Sequence, residues 1–301
     1  MAWYRDEAML RAEVEKHGSV NAAAHANATP ASTVSNWAQR LGVKSFNPRT
    51  PKGLRGDDWP KPPPPLIPIL DTPIRLEGDM AVSSDWHAPA TNYEVLHRML
   101  DDIDRSGLKR LGIIGDLTNQ DALAGHEEKQ KGAELEPEME HLHYSVDLAL
   151  DVVDEIVVSF GNHDRHAMGR LQVSFEKSIG MLLHGLAPEK LARIRITALD
   201  HVTVETERGD WLLAHTRSYS RLPLAYPNKL AQRHGCHVAA GHRHHAAQGR
   251  AANGKDIVEL AGLMDIPRLA YAHRYTNDLP AMQNGYGLLI DGFMRCPMLY
   301  S

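Results

Sequence analysis

At 301 residues, 43% hydrophobic and 24% charged, the chain is long enough for one large domain and a small one, and its make-up is that of a folded globular protein. No apolar run approaches the ~18 residues of a membrane span, residues 1–7 lack the apolar centre of a secretory signal, and two cysteines make no disulfide framework; membrane and disulfide-stapled classes are excluded, and a cytoplasmic protein with no membrane partner is expected. The net charge of −5 is uneven: residues 1–56 carry eight Lys/Arg against four Asp/Glu, so a basic end precedes an acidic body, and two different jobs are implied.

The basic end reads as three helices. Met9, Leu10, Ala12 and Val14 have helical spacing over 6–16, and Gly18 stops that helix. Ser19 caps a second helix over 20–26. Asn27 and Ala28 turn the chain, Thr29 caps a third helix with Pro30 at its first position, and Val34, Trp37 and Leu41 share a face over 31–41. Two short helices across a tight turn make the helix-turn-helix pattern, and the run 18–37 resembles phage-type and transposase-type helix-turn-helix segments. That resemblance implies that residues 1–45 bind DNA, with Ala31, Ser32, Thr33, Asn36 and Arg40 near the exposed face of the recognition helix. The plainer reading is a small unit that packs on the body or dimerises; the alanine-rich second helix offers little core, so a homodimer would add stability.

Residues 46–73 change character. Prolines at 48, 51, 60, 62–65, 68 and 73 predict an extended, semi-rigid linker.

The body, 74–301, alternates apolar runs with helical stretches. Short strands are predicted over 74–76 and 80–82, a helix over 92–105 with Leu96, Met99, Leu100 and Ile103 inward, and a strand over 111–114. Strand, helix, strand is a right-handed crossover and predicts parallel pairing. The charged stretch 121–143, with His126, His141 and His143, reads as a solvated loop before a helix over 144–153. Then come a strand over 156–160, a helix over 171–183, a hairpin over 202–206 and 211–214, a short helix opened by Pro227, and a strand over 236–240. A second hairpin over 246–250 and 256–260 turns at Asn253-Gly254, and a late strand covers 286–290. Arg268, His273 and Arg274, between these last elements, are candidates to line a substrate groove.

Five apolar runs each hand over to a polar cluster: Asp85-Trp86-His87, Gly115-Asp116, Gly161-Asn162-His163-Asp164, His215, and Gly241-His242-Arg243-His244. Ends of strands are where open α/β sheets place ligands. In an extended segment residues i and i+2 point the same way, so Asp85 with His87, and His242 with His244, can each grip one cation while Trp86 turns into packing. The chain holds 18 histidines, and three at strand ends beside carboxylates point to metal rather than to core or surface.

The ordered series D-x-H, G-D, G-N-H-D, H, G-H-x-H resembles the metallophosphoesterase (calcineurin-like phosphoesterase) superfamily over roughly residues 76–291. The resemblance implies an α/β fold, a four-layer α/β/β/α sandwich of mixed sheets flanked by helices. It implies two divalent metal ions, one held by Asp85, His87, Asp116 and His244, the other by Asp116, Asn162, His215 and His242, with Asp116 offering one oxygen to each. Such a set, lacking thiolate, suits Mn²⁺ first, then Fe²⁺, Zn²⁺ or Ni²⁺. His163 would protonate the leaving oxygen or stabilise transition-state charge, and Asp164 would orient it. Asn119, Arg165, Arg217 and Arg243 are further candidates for substrate contact. Gln120-Asp121 and the G-N-H-D form lead away from protein Ser/Thr phosphatases and towards Mre11-like nucleases and other phosphodiesterases.

The expected function is metal-dependent hydrolysis of a phosphodiester in DNA, targeted by the helix-turn-helix; a phage enzyme working in host cytoplasm fits that pairing. One alternative is a phosphomonoesterase or nucleotide phosphodiesterase on a small substrate, which an acidic body would favour. The other is a DNA-binding regulator with an inactive body, against which the intact ligand set argues.

Overall fold

The computed structural model describes residues 2–43, 69–70, 73–123, 134–217, 220, 222–269, 282–296 and 298–299. Most of the linker reading over 46–73 falls outside them, as do His126, His273 and Arg274. The chain divides into two compact units, Met1–Pro63 and Pro64–Ser301. No described helix is long and apolar enough to cross a membrane.

The first unit holds α1 (Glu7–His17), α2 (Val20–Ala26) and α3 (Ala31–Arg40). Asp6 Oδ1 accepts from the nitrogens of Ala8 and Met9 at 3.0 and 3.1 Å, and Gly18 ends α1 at φ 79°, where a side chain would be strained. Ser19 Oγ accepts from Ala22 N at 3.1 Å and starts α2. Thr29 is not the cap of α3: its hydroxyl donates to the Asn27 carbonyl and accepts from Trp3 Nε1, so Pro30 takes the cap position with no side-chain bond. Leu10, Val14, Val20, Ala23, Ala24, Val34, Ala38 and Val43 form a core. Trp37, expected inward, is half-buried, with the guanidinium groups of Arg5 and Arg40 at 5.6 and 5.4 Å from its ring.

The body runs β1 (Ile69–Leu70), β2 (Arg75–Glu77), β3 (Met80–Ser83), α4 (Tyr93–Ser106), β4 (Arg110–Ile114), α5 (Leu135–Val152), β5 (Glu155–Ser159), α6 (Arg165–Leu171), α7 (Phe175–Leu182), α8 (Pro188–Leu191), β6 (Ile194–Thr197), β7 (His201–Glu205), β8 (Trp211–His215), α9 (Ala225–His234), β9 (His237–Gly241), β10 (Ala247–Arg250), β11 (Asp256–Glu259), β12 (Asn284–Gly285), β13 (Gly287–Ile290), β14 (Phe293–Arg295) and β15 (Met298–Leu299). A seven-stranded sheet has the order β1-β6-β5-β4-β3-β13-β14, parallel from β1 through β3 and antiparallel beyond. A six-stranded sheet has the order β10-β11-β9-β8-β7-β2, with β8, β9 and β11 parallel.

Alternation along the strands builds the layers. In β4, Leu111 and Ile113 face the helices α4, α5 and α7, while Ile114 faces the other sheet. In β8, Trp211 and Leu213 point between the sheets, and Leu212 and Ala214 point to α9. The described body is therefore mixed α/β in four layers: helices, sheet, sheet, helix. Asn92 caps α4 through Val95 N at 3.2 Å, and the helix buries Leu96, Met99 and Ile103; truncating one of these to alanine costs about 2–5 kcal/mol.

Several boundaries differ from the expectation. β2 and β3 flank the 78–79 turn and enter different sheets. α5 begins well before residue 144, because Glu136 and Glu138 suit a first helical turn and Glu138 and Leu142 are buried. The helix expected over 171–183 starts later, as α7, with Ser174 as its cap, and a separate α6 precedes it and ends at Gln172, φ 52°, so Arg165 and His166 open a helix instead of lying on a loop.

Candidate metal centre

The C-terminal ends of β3, β4 and β5 in one sheet meet those of β8 and β9 in the other. Asp85 and His87 follow β3, Asp116 follows β4, Asn162 to Asp164 follow β5, His215 ends β8, and His242 and His244 follow β9. The expected extended conformation is not how the paired residues share a direction. Asp85, His87, Asp116, His242 and His244 have φ values of 55°, 48°, 50°, 91° and 56°. Each such non-glycine residue costs about 1–3 kcal/mol, and strain of this kind concentrates at functional sites. Left-handed steps after β3, β4 and β9 turn these side chains back over the strand ends.

Three groups of ligand atoms result: Asp85 with His87 and His244, Asp116 with His215 and His242, and His87 with Asp116 and His163. His244 Nε2 is 3.1 Å from Asp85 Oδ1 and 3.3 Å from His87 Nε2. Asp116 Oδ2 is 3.9 Å from His87 Nε2 and 3.3 Å from His215 Nε2. The side-chain oxygen of Asn162 lies 3.0 Å from His215 Nε2, 3.2 Å from Asp116 Oδ2 and 2.6 Å from His242 Nδ1. With the amide turned round, its nitrogen donates to Asp116 Oδ2 and His242 Nδ1 instead; with the oxygen in that place, the same groups could share a cation. Oxygen and imidazole donors without thiolate, gathered in such groups, fit divalent ions.

The outer atoms are tied down so that the inner ones are aimed. Asp85 Oδ2 accepts from Ser84 Oγ at 2.5 Å and from His242 N at 2.9 Å, leaving Oδ1 inward. Asp116 Oδ1 accepts from His163 N at 2.8 Å, so a single oxygen, Oδ2, faces both groups. This corrects the expectation of one oxygen for each ion: the second oxygen is already taken by the backbone. His215 Nδ1 is 2.9 Å from the Ile114 carbonyl and His87 Nδ1 is 3.2 Å from Asn119 Oδ1, which sets the Nε2 lone pair of each towards the centre. Close approach demands glycine at two points. A Cβ at Gly161 would fall on Asp116 N and Oδ1, and one at Gly241 on Ser84 Oγ.

The buried charges sort themselves. Burial opposes ionisation of Asp85 and Asp116, but the surrounding histidines outweigh it, His244 for Asp85 and His215 for Asp116, and hold both below the usual carboxylate range. Burial pushes His87 down to about 3 and His242 down to about 4, so both are neutral and free to offer a lone pair to a cation. His215 goes the other way: burial opposes its charge, yet Asp116 beside it raises it to about 10. Burial, with Asp116 nearby, raises Asp164 to about 7.

The remaining candidates divide. His163 sits edge-on to His87, ring centres 4.6 Å apart, with Nδ1 3.0 Å from the Asn119 carbonyl. Asp164 accepts from Gly161 N at 2.8 Å; it braces the loop, while Asn119 has the place at His163 Nδ1 that the sequence reading gave to Asp164. Asn119 is buried and holds histidines rather than facing a groove. Arg165 lies over the Phe160 ring at 5.3 Å, Arg217 pairs with Asp200 at 3.2 Å, and Arg243 is buried with Glu259 at 3.6 Å and the Leu222 carbonyl at 3.0 Å. Sequence reasoning missed Ser84, whose hydroxyl locks Asp85, although its place beside Asp85 was a visible signal.

No protein-family model and no curated protein matches the chain. Among solved structures, one described as a novel archaeal phosphodiesterase covers 73% of this chain and 99% of its own, at 12% identity and a TM-score of 0.40. YfcE, a phosphoesterase from E. coli, covers 70% of this chain and 87% of its own at 17% identity and 0.39. Wild-type Vps29 from Entamoeba histolytica, complexed with Zn²⁺, covers 73% and 98% at 12% and 0.39. Likeness this slight carries no argument, so the functional reading stands on the geometry.

Proposed function

We propose that the body is a metallophosphoesterase: a phosphoester hydrolase dependent on two divalent ions, acting on a phosphodiester in DNA. The observation that carries the reading is the single oxygen of Asp116, Oδ2, shared between one ligand group on the β3 side and one on the β8 side. Asp85, His87 and His244 would hold one ion, Asn162, His215 and His242 the other, with Mn²⁺ the expected metal. Bound there, the ions would acidify water and neutralise phosphoryl charge. His163 gives its Nδ1–H to the Asn119 carbonyl, so the doubly protonated ring would pass the proton on Nε2 to the leaving oxygen and be left as the neutral Nδ1–H form. Its backbone N–H holds Asp116 Oδ1, which keeps acid and shared carboxylate in a fixed relation. Asp164 acts on the same loop through Gly161 N.

Targeting to DNA is supported by the face that α3 leaves outside its core. Ser32, Asn36 and Arg40 are exposed, with Ser35 and Gln39 beside them, and Thr33 is half-buried. These side chains can meet base edges and phosphates. The acidity of the body favours a second reading, a small phosphoester. Turnover of labelled duplex DNA, a simple phosphodiester and a phosphomonoester with Mn²⁺ separates the two. Cleavage of both diesters supports the nuclease reading. Turnover of small esters alone transfers the activity to the second reading, and no turnover by metal-loaded protein refutes hydrolysis.

A further inference from the structure

Behind the centre lies a carboxylate that neither ligand set uses. Glu138, in the first turn of α5, is buried, and its Oε2 accepts the N–H of Gln120 at 2.8 Å. The N–H groups of Asp121 and Ala122 turn to the same carboxylate. Burial, with Asp121 nearby, raises this carboxyl to about 8; successive backbone N–H groups around its oxygens form a nest, and Gln120, at φ 52°, gives the loop the left-handed step that such nests use.

The residue at the mouth of this nest is Asn119. Its N–H goes to the Ala88 carbonyl at 3.0 Å and its Nδ2 donates to Asp121 Oδ2 at 2.5 Å. Its Oδ1 lies 3.2 Å from His87 Nδ1, and its carbonyl oxygen 3.0 Å from His163 Nδ1. One residue therefore steers a metal-facing histidine and the histidine placed to move a proton. Asn119, Gln120 and Asp121 are all buried, so this loop is fixed by protein acceptors rather than by water.

We infer that Glu138 is a positioning residue, holding the 119–122 loop so that Asn119 aims His87 at the metal and His163 at the substrate; this rests on the metal-dependent reading above. Its action is indirect, since Glu138 touches neither metal nor substrate in that reading. A partner one shell removed from a ligand typically controls metal affinity by about tenfold to a hundredfold.

The test compares Glu138→Leu, which removes the acceptor at similar volume, with Glu138→Gln, which keeps one carbonyl oxygen. Mn²⁺ affinity is read by calorimetric titration of full-length protein, and the pH–rate profile by turnover of a simple phosphodiester. Glu138→Leu should bind Mn²⁺ about tenfold or more weaker and move the pH–rate profile, while Glu138→Gln restores most of both. Where Glu138→Leu does not fold, Glu138→Asp replaces it: the charge stays, the reach shortens by one methylene, and weaker binding is again expected. Wild-type affinity and an unmoved profile in a folded Leu or Asp variant overturn the inference. A wild-type protein that binds no Mn²⁺ overturns the metal reading itself, a different failure.

Discussion

Gly161→Ala puts a methyl group where the chain has no room for one. The new Cβ would come well inside 3.0 Å of Asp116 N and Oδ1, a separation that real Cβ atoms do not show. Backing off to an ordinary contact of roughly 3.5 Å moves Asp116 by about 1 Å. A ligand bond is only ~2.0–2.2 Å long, so the shift takes the shared Oδ2 out of reach of at least one ion. Misplacement of about 1 Å at a reacting centre costs ~100-fold in rate, whereas overpacking of this size costs ~1–3 kcal/mol in stability. For a body of this size that is a fall of about 2–4 °C in Tm per kcal/mol. The variant should therefore stay folded, melt several degrees lower, and lose metal affinity and turnover by about 100-fold. Calorimetric Mn²⁺ titration beside a melting curve reads both. A folded variant with wild-type affinity would refute the close-approach argument.

Four further outcomes are expected. His163→Ala should lose about 10²–10⁴ in kcat with metal affinity nearly unchanged; if metal binding collapses instead, His163 is a ligand, as its grouping with His87 and Asp116 would permit. His215, held at about 10 by Asp116 in the metal-free protein, must be neutral to ligate, so metal loading near pH 8 should release a proton and tighten as pH rises. Titrations in two buffers of different ionisation enthalpy measure that proton, and its absence contradicts the assignment. The same raised value means that the His215–Asp116 pair contributes its full stability below pH 6.5 and loses it as pH climbs through about 10, so metal-free protein should melt lower at the alkaline end. Arg40→Ala should weaken duplex binding at low salt and reduce the salt slope by about one; unchanged binding removes Arg40 from the contact.

The site was more legible in the sequence than the segments around it. Each ligand-bearing cluster follows a short β-branched or apolar run, and both signals are local, so Asp85 through His244 could be read as one series. Backbone conformation was not legible: a D-x-H triplet reads as extended, whereas Asp85 and His87 are left-handed, and the close approach of Gly161 to Asp116 and of Gly241 to Ser84 is tertiary. The roles of Asn119 and Asp164 exchanged for a similar reason. Which carbonyl or carboxylate meets His163 Nδ1 depends on how the β4 and β5 loops approach each other. Of the arginines given as candidates for substrate contact, Arg217 pairs with Asp200 and Arg243 with Glu259, partners that the sequence did not point to. The break before α7 was missed because Gln172 and Ser174 carry no strong stop signal beside an otherwise helical pattern.

Turnover of a simple phosphodiester by metal-stripped protein, before and after Mn²⁺ is restored, in wild type and in Asp116→Asn, tests the shared-oxygen centre most directly. The stripped wild type should be inactive and regain activity with Mn²⁺, while Asp116→Asn, folded to the same melting profile, should stay inactive at every metal concentration. Activity that survives stripping, or an Asp116→Asn variant as active as wild type, would contradict a hydrolase built around Asp116.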